Sequence, residues 1–280
     1  MPPLKEAHEK YVPGINFLVR ENGARVIIAG RPGSGKSVLT QNLIRPGGPL
    51  YRKFDNCFLV IPENSLQSVK DHPFQGHDKV YHDVLDIVKV KDILKEKKSK
   101  YLAYEEYRKQ YQEWKARNKK RKYEDDDGSD PPPPEVEPAS LEYSLLIIDD
   151  FGNRLKEMEV DRHLQEFFSK SRHLMCQVYV VCQEYLQLSK MNRKLLSHCI
   201  LFAPSNQAWE MFTEEQLLED KKEATQIRRK VFDQMYNTLT VDEEKCLYKN
   251  FERIQCVATN TNGEAKTSTS PTTSGSSSAM

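Results

Sequence analysis

The residues Gly30-Arg31-Pro32-Gly33-Ser34-Gly35-Lys36-Ser37 match the pattern G-x-x-x-x-G-K-[ST], and each residue type in it has a chemical reason. A loop that wraps a phosphate with its backbone N–H groups needs glycine wherever φ turns positive or the chain approaches the ligand closely. The helix that follows aims its unpaired amides and positive dipole end at the same anion. Lys36 then reaches the β- and γ-phosphates, and the Ser37 hydroxyl takes a place on Mg²⁺. The glycine fingerprint of dinucleotide-binding folds is excluded, because Pro32 occupies the place of its middle glycine.

A phosphate site of this kind also needs a metal ligand and, for hydrolysis, a base. The run "LLIIDD" ends in Asp149 and Asp150, so four apolar residues deliver two carboxylates to one strand end. In parallel sheets ligands bind at that end. Asp149 is expected to hold Mg²⁺ through water, and Asp150 to orient or deprotonate the attacking water. Gln183 ends a third apolar run, "VYVVCQ". If that strand lies between those bearing the loop and Asp149, its amide emerges beside the γ-phosphate; otherwise it is a glutamine capping a strand in solvent.

These groups require a frame, and the sequence supplies one. A strand over Val26–Ala29, a helix over Ser37–Leu43 and a strand "NCFLVIP" ended by Pro62 form a β-α-β unit. Three more strand-like runs, at 143–150, 176–184 and 198–204, alternate with helical stretches around 160–171 and 190–197. Such alternation predicts an α/β fold, a mainly parallel sheet with helices on both faces. A polar segment from Gln207 to about Asn250 reads as helical. Residues 1–23 are an irregular lead-in with a short strand possible near "NFLVR", 24–258 the catalytic domain, and 259–280 a Ser/Thr-rich tail expected to be disordered. Within the domain, 99–140 reads as an insertion: a charged, tyrosine-rich helix followed by four consecutive prolines that exclude helix and favour an extended linker.

Composition narrows the class. The chain has 280 residues, 30% of them charged and 38% hydrophobic, enough for one core with solvated appendages. No apolar run approaches the length of a membrane span, and the start "MPPLKEAHEK" lacks the apolar centre of a secretory signal, so an intracellular protein is expected. Six cysteines form no CxxC pair, which favours reduced, buried thiols over a disulfide frame or a zinc site. The net charge of +1 is uninformative about a polyanionic partner. Basic clusters do occur at Lys119–Lys122 and at Lys221, Lys222, Arg228, Arg229 and Lys230, as DNA contacts or as solvated helix faces.

The order of P-loop, long insertion, "LLIIDDFGNRL" and "KSRHLMCQVYVVCQEYLQLSKMNRKLLSHCILFAP" resembles one family. It is similar to the genome-packaging ATPases of poxvirus-type large DNA viruses, virophages and polinton-like elements, within the FtsK–HerA superfamily. The resemblance covers about Val26–Val60 and Leu145–Phe212. It implies a RecA-like P-loop core, a homo-oligomeric ring, and ATP- and Mg²⁺-dependent movement of double-stranded DNA into capsids built of other proteins, at the site of virion assembly in the host nucleus or cytoplasm. It makes Gln183 the polar sensor of the γ-phosphate. It also implies an arginine that reaches the neighbouring subunit's nucleotide, for which Arg172 and Arg193 are the candidates, Arg172 preferred because "SRH" immediately precedes the sensor strand. Superfamily members often carry Asp-Glu where this chain has Asp149-Asp150, so the second carboxylate is one methylene shorter. A P-loop kinase of a nucleotide or metabolite, which needs an acceptor pocket and an arginine-rich lid, and a nucleotide-gated interaction switch are the other readings.

Overall fold

A computed structural model describes residues 23–68, 74, 76–121, 131–217 and 221–256. The "NFLVR" strand, the expected tail and Lys122 lie outside the described residues. Among the described residues nine strands form one sheet in the order β3-β2-β4-β5-β1-β6-β7-β8-β9. The strands are β1 (Arg25–Ala29), β2 (Asn56–Val60), β3 (Val80–Tyr81), β4 (Ser144–Asp149), β5 (Cys176–Cys182), β6 (His198–Leu201), β7 (Leu239–Val241), β8 (Cys246–Lys249) and β9 (Glu252–Cys256). The first six in chain order pair in parallel and the last three extend the sheet as antiparallel strands. The α/β expectation therefore holds, and β5 does lie between β1 and β4.

The central strands read as apolar runs because both faces are covered. Ile27, Ile148, Val178 and Val180 join one core cluster while Val26, Ile28, Ile147 and Val181 join the other, as the two-residue period of a strand requires. Helix α1 (Lys36–Ile44) covers the second face through Leu43. After α2 (Glu63–Ser68), the first face is covered by α3 (Ile87–Arg121) and α4 (Met158–Lys170). In α4, Val160, Leu164, Phe167 and Phe168 form a single apolar stripe, and all four are buried. Burying each contributes roughly 1.5–3 kcal/mol.

Helix α3 is continuous, so the expected insertion boundary at 99 falls inside it. Its first turns are core, with Ile87, Val90 and Leu94 buried, whereas its later turns project with the rings of Tyr104, Tyr107, Tyr111 and Trp114 laddered 5.5–6.3 Å apart. The chain returns to the sheet through Glu142, which accepts from Asn56 and Lys97, and through Tyr143, whose N–H donates to Asp55. No described helix is long and apolar enough to cross a membrane.

Two expectations are corrected here. After α5 (Lys190–Lys194), the segment from Gln207 to Asn250 is not wholly helical: α6 (Asn206–Phe212), a π-turn at Thr213–Leu217 and α7 (Lys221–Val231) are followed by β7 and β8. Those strands are short, and pairing to β6 overrides their weak local pattern. Of the cysteines, Cys57, Cys176, Cys182 and Cys199 are free as expected, but Cys246 is disulfide-bonded. The β8–β9 register sets it opposite Cys256, a juxtaposition that no CxxC spacing announces.

Lys91 of α3 and Lys170 of α4 both donate to Glu166, at 2.8 and 2.7 Å. Hydrogen bonds from Lys170 and Lys91 hold the Glu166 carboxyl down at about 2, against an ordinary 4.5. A depressed carboxylate stabilises the fold above its ordinary range, and that contribution is lost as pH falls toward the depressed value. Glu166→Gln is therefore expected to lower the urea midpoint near neutrality, with the difference from wild type shrinking as the solution is acidified. A difference that does not change with pH would refute the linkage.

Candidate active site

Strand β1 ends at Ala29 and the chain turns through Gly30–Gly35 into α1. Gly35 is the N-cap of α1 with φ 93°, a left-handed conformation that a side chain opposes. At Gly30 an added Cβ would stand 2.6 Å from both the Phe202 Cβ and the Ser34 Oγ. Backbone N–H groups at the start of α1 have no side-chain cap, so they remain available to an anion. Lys36 Nζ donates back across the loop to the Arg31 carbonyl at 3.0 Å. Burial lowers the Lys36 pKa, opposed by the nearby negative charge of Asp149. Ser34 Oγ is buried inside the loop with no hydrogen-bond partner among the described residues.

Asp149 is the last residue of β4 and is 3% exposed. Burial pushes its carboxyl up to about 7, although the Ser37 hydroxyl donates to its Oδ2 at 3.1 Å and opposes the shift. A buried carboxylate beside a hydroxyl is a pair of hard oxygen donors. That chemistry suits Mg²⁺, which takes one or two such ligands and keeps several waters. The residues present therefore fit the metal that the P-loop motif implies.

The adjacent Asp150 faces elsewhere. Its backbone is left-handed, φ 62°, and this turn directs the second carboxylate out of the core, where it is exposed. Asp150 Oδ2 accepts from Ser65 Oγ at 2.7 Å and Oδ1 from Gln183 Nε2 at 3.4 Å. Gln183 follows β5, and its N–H donates to Gln187 Oε1 at 2.8 Å. The arrangement thus brings together Lys36, Ser37, Asp149, Asp150 and Gln183. Ser65, on the first turns of α2, escaped the sequence reading; nothing local marks it, since only the β2–β4 pairing carries it to Asp150.

The two arginines separate. Arg193 is 5% exposed; its guanidinium donates to both Glu215 carboxylate oxygens at 2.8 and 2.7 Å and to the Leu188 carbonyl at 2.6 Å, and it lies over the Tyr185 ring. This geometry speaks for a structural role rather than the expected reach to a neighbouring nucleotide, since the guanidinium is held on three sides in the interior. The π-turn at Thr213–Leu217 is what points Glu215 inward. Arg172 is exposed, in the turn before β5, at the opposite end of that strand from Gln183. A cavity of about 440 Å³, with Arg45, Tyr51 and His77 in its walls, abuts Cys57 and Leu145 at the starts of β2 and β4, the far end of the strands from Asp149.

Residues 135–270 match the family model described as Poxvirus A32 protein. Over this segment, just under half of the chain, the protein is similar to the poxvirus A32 family. It contains Asp149, Asp150, Gln183 and Arg172, so the expected resemblance is borne out over that half of the site. The P-loop lies outside the match and stands on its own motif and geometry. No curated protein matches the chain. Among solved structures, the DNA-packaging ATPase B204 from Sulfolobus turreted icosahedral virus is 17% identical, with 81% of this chain covered and 97% of that one, at a TM-score of 0.49. The genome packaging NTPase B204 of Sulfolobus turreted icosahedral virus 2, in complex with ATP-gammaS, is 16% identical over 82% and 97% at 0.46. The pCW3 conjugation coupling protein TcpA is 14% identical over 84% and 60% at 0.44.

Proposed function

We propose that this chain is an ATP-hydrolysing translocase that packages viral or virus-like double-stranded DNA into capsids. The observation that carries the reading is the placement of β5 between β1 and β4, which sets the Gln183 amide against Asp150 at the edge of the sheet that bears the P-loop. The A32 family match over the segment bearing these residues supports the same conclusion.

The loop amides and Lys36 bind the β- and γ-phosphates. Ser37 and Asp149 would hold Mg²⁺, which when bound would supply neutralisation of phosphate charge. Asp150 accepts a proton from the attacking water, and Gln183 holds that water and reports the γ-phosphate to β5. The left-handed turn and the Ser65 hydrogen bond deliver the shorter carboxylate, so backbone geometry stands in for the missing methylene. Arg172 is the remaining candidate for the arginine acting on a neighbour's nucleotide within a homo-oligomeric ring. Arg229 and Lys230, exposed on α7, are candidate contacts to the DNA backbone, whereas Arg228 is held by Asn206, the Pro204 carbonyl and the Trp209 ring. The protein acts inside the host cell where virions assemble.

Steady-state ATPase activity with and without long duplex DNA tests this. Strong stimulation is expected, independent of base sequence, falling steeply with salt, and absent in Lys36→Ala. Turnover indifferent to duplex would overturn translocation and favour a nucleotide-gated switch.

A further inference from the structure

Asp149, Asp150 and Gln183 stand on one flank of the P-loop, the β5–β4 side, and the other flank, toward β6 and β7, carries none of them. Strand pairing sets Ala29, Leu201 and Leu239 in one row across β1, β6 and β7. Because β7 runs antiparallel, the loop that precedes it opens at the same edge of the sheet as the P-loop. That loop presents Tyr236, which is 60% exposed, beside Met235 at 76%. A tyrosine ring edge there comes within 3.6 Å of the position a Cβ on Gly35 would take, with Phe202 at 3.9 Å behind it.

The backbone under this ring is left-handed, as it is at six other described non-glycine residues. Tyr236 has φ 69° in a turn closed by Asn237 N–H to the Gln234 carbonyl, a position where glycine or asparagine is at ease. The turn is held by side-chain bonds from Asn237 to Asp233 and from Asn250 to Asn237, and the Thr238 N–H donates to Asn250. A large, mostly exposed aromatic ring thus stands beside the phosphate cradle on a turn whose backbone is held by its neighbours. A strained residue held in place by its surroundings points to a role in the site.

We propose that Tyr236 is the platform on which the nucleotide base stacks. The inference rests on the P-loop binding the phosphates of a nucleotide, and it deepens that reading by assigning the base its side of the loop. Stacking uses the π-face that every base possesses, so this contact favours a nucleoside triphosphate over bare polyphosphate without distinguishing adenine from guanine by its edge.

The test compares binding of a non-hydrolysable ATP analogue and of inorganic tripolyphosphate, each with Mg²⁺, to the full chain. Tyr236→Ala is expected to weaken the analogue roughly tenfold to a hundredfold while leaving tripolyphosphate unchanged, and Tyr236→Phe to retain wild-type binding. Tyr236→Asn suits the positive φ and removes the ring, so it should show the same selective loss with the turn kept intact. Lys36→Ala should weaken both ligands. If Tyr236→Ala and Tyr236→Asn bind the analogue as wild type does while Lys36→Ala loses both, the platform is refuted and the phosphate site stands. If wild type binds neither ligand, or binds tripolyphosphate as tightly as the analogue, the proposal also falls, in the first case together with the phosphate reading.

Discussion

Asp150→Asn is expected to lower steady-state ATPase turnover by about 10²- to 10⁴-fold, the range that positioned general bases contribute. Nucleotide binding should be little affected, because the phosphates are held by the loop, Lys36 and Ser37. The substitution is a clean probe for a structural reason. Asp150 sits at φ 62°, and asparagine is among the few residues that accept this conformation readily. Asparagine can also still accept the Ser65 hydroxyl and still meet the Gln183 amide. What it loses is the capacity to take a proton. Single-turnover hydrolysis and equilibrium binding, measured on the same preparation, separate the two effects. A rate within about tenfold of wild type would mean that the water is activated elsewhere, and the assignment of Asp150 would be withdrawn. Asp149→Asn provides the contrast: it should impair Mg²⁺-dependent binding itself, since Asp149 is the buried carboxylate facing Ser37.

Arg193→Ala should destabilise the fold by about 3–5 kcal/mol, the cost of leaving a buried carboxylate without its partner. Glu215 is that partner. Burial drives its pKa up, but hydrogen bonds from Arg193 and Tyr185 outweigh burial and hold it below the ordinary carboxylate range. Without the guanidinium the Glu215 side chain, 9% exposed, keeps Tyr185 as its one hydrogen-bond donor among the described residues. For a domain of this size the loss corresponds to a fall in Tm of very roughly 6–20 °C. Arg193→Met combined with Glu215→Leu, which removes both charges and keeps most of the volume, should recover much of it. An arginine acting on a neighbour's nucleotide would give the opposite pattern, an unchanged melting temperature with lost turnover. That second pattern is the one expected of Arg172→Ala, whose side chain is exposed. Thermal denaturation and turnover of the two variants side by side therefore decide which arginine is structural.

The parts of this protein that were legible in its sequence are those in which local chemistry dictates residue type. A loop that cradles phosphate must be glycine-rich and end in lysine and serine. A strand covered on both faces must be an apolar run, as "SLLIID" and "CQVYVVC" are, both wholly buried. From these alone the α/β class, the β-α-β start and the positions of Asp149 and Gln183 could be read. What remained undecided involved contacts between distant segments. Whether Gln183 faces the site depended on strand order, and parallel strands joined by crossovers can adopt several orders with the same local pattern. The strands β7 and β8 are short and their apolar residues few, so only pairing against β6 makes them strands. Arg172 and Arg193 look alike as motif arginines, and one is buried because a π-turn some twenty residues later turns Glu215 toward it. Ser65 and Tyr236 carry no local mark at all. Their places beside Asp150 and Gly35 come from the register of the sheet, which sums hydrogen bonds and burial over the whole chain and which no single stretch of residues contains.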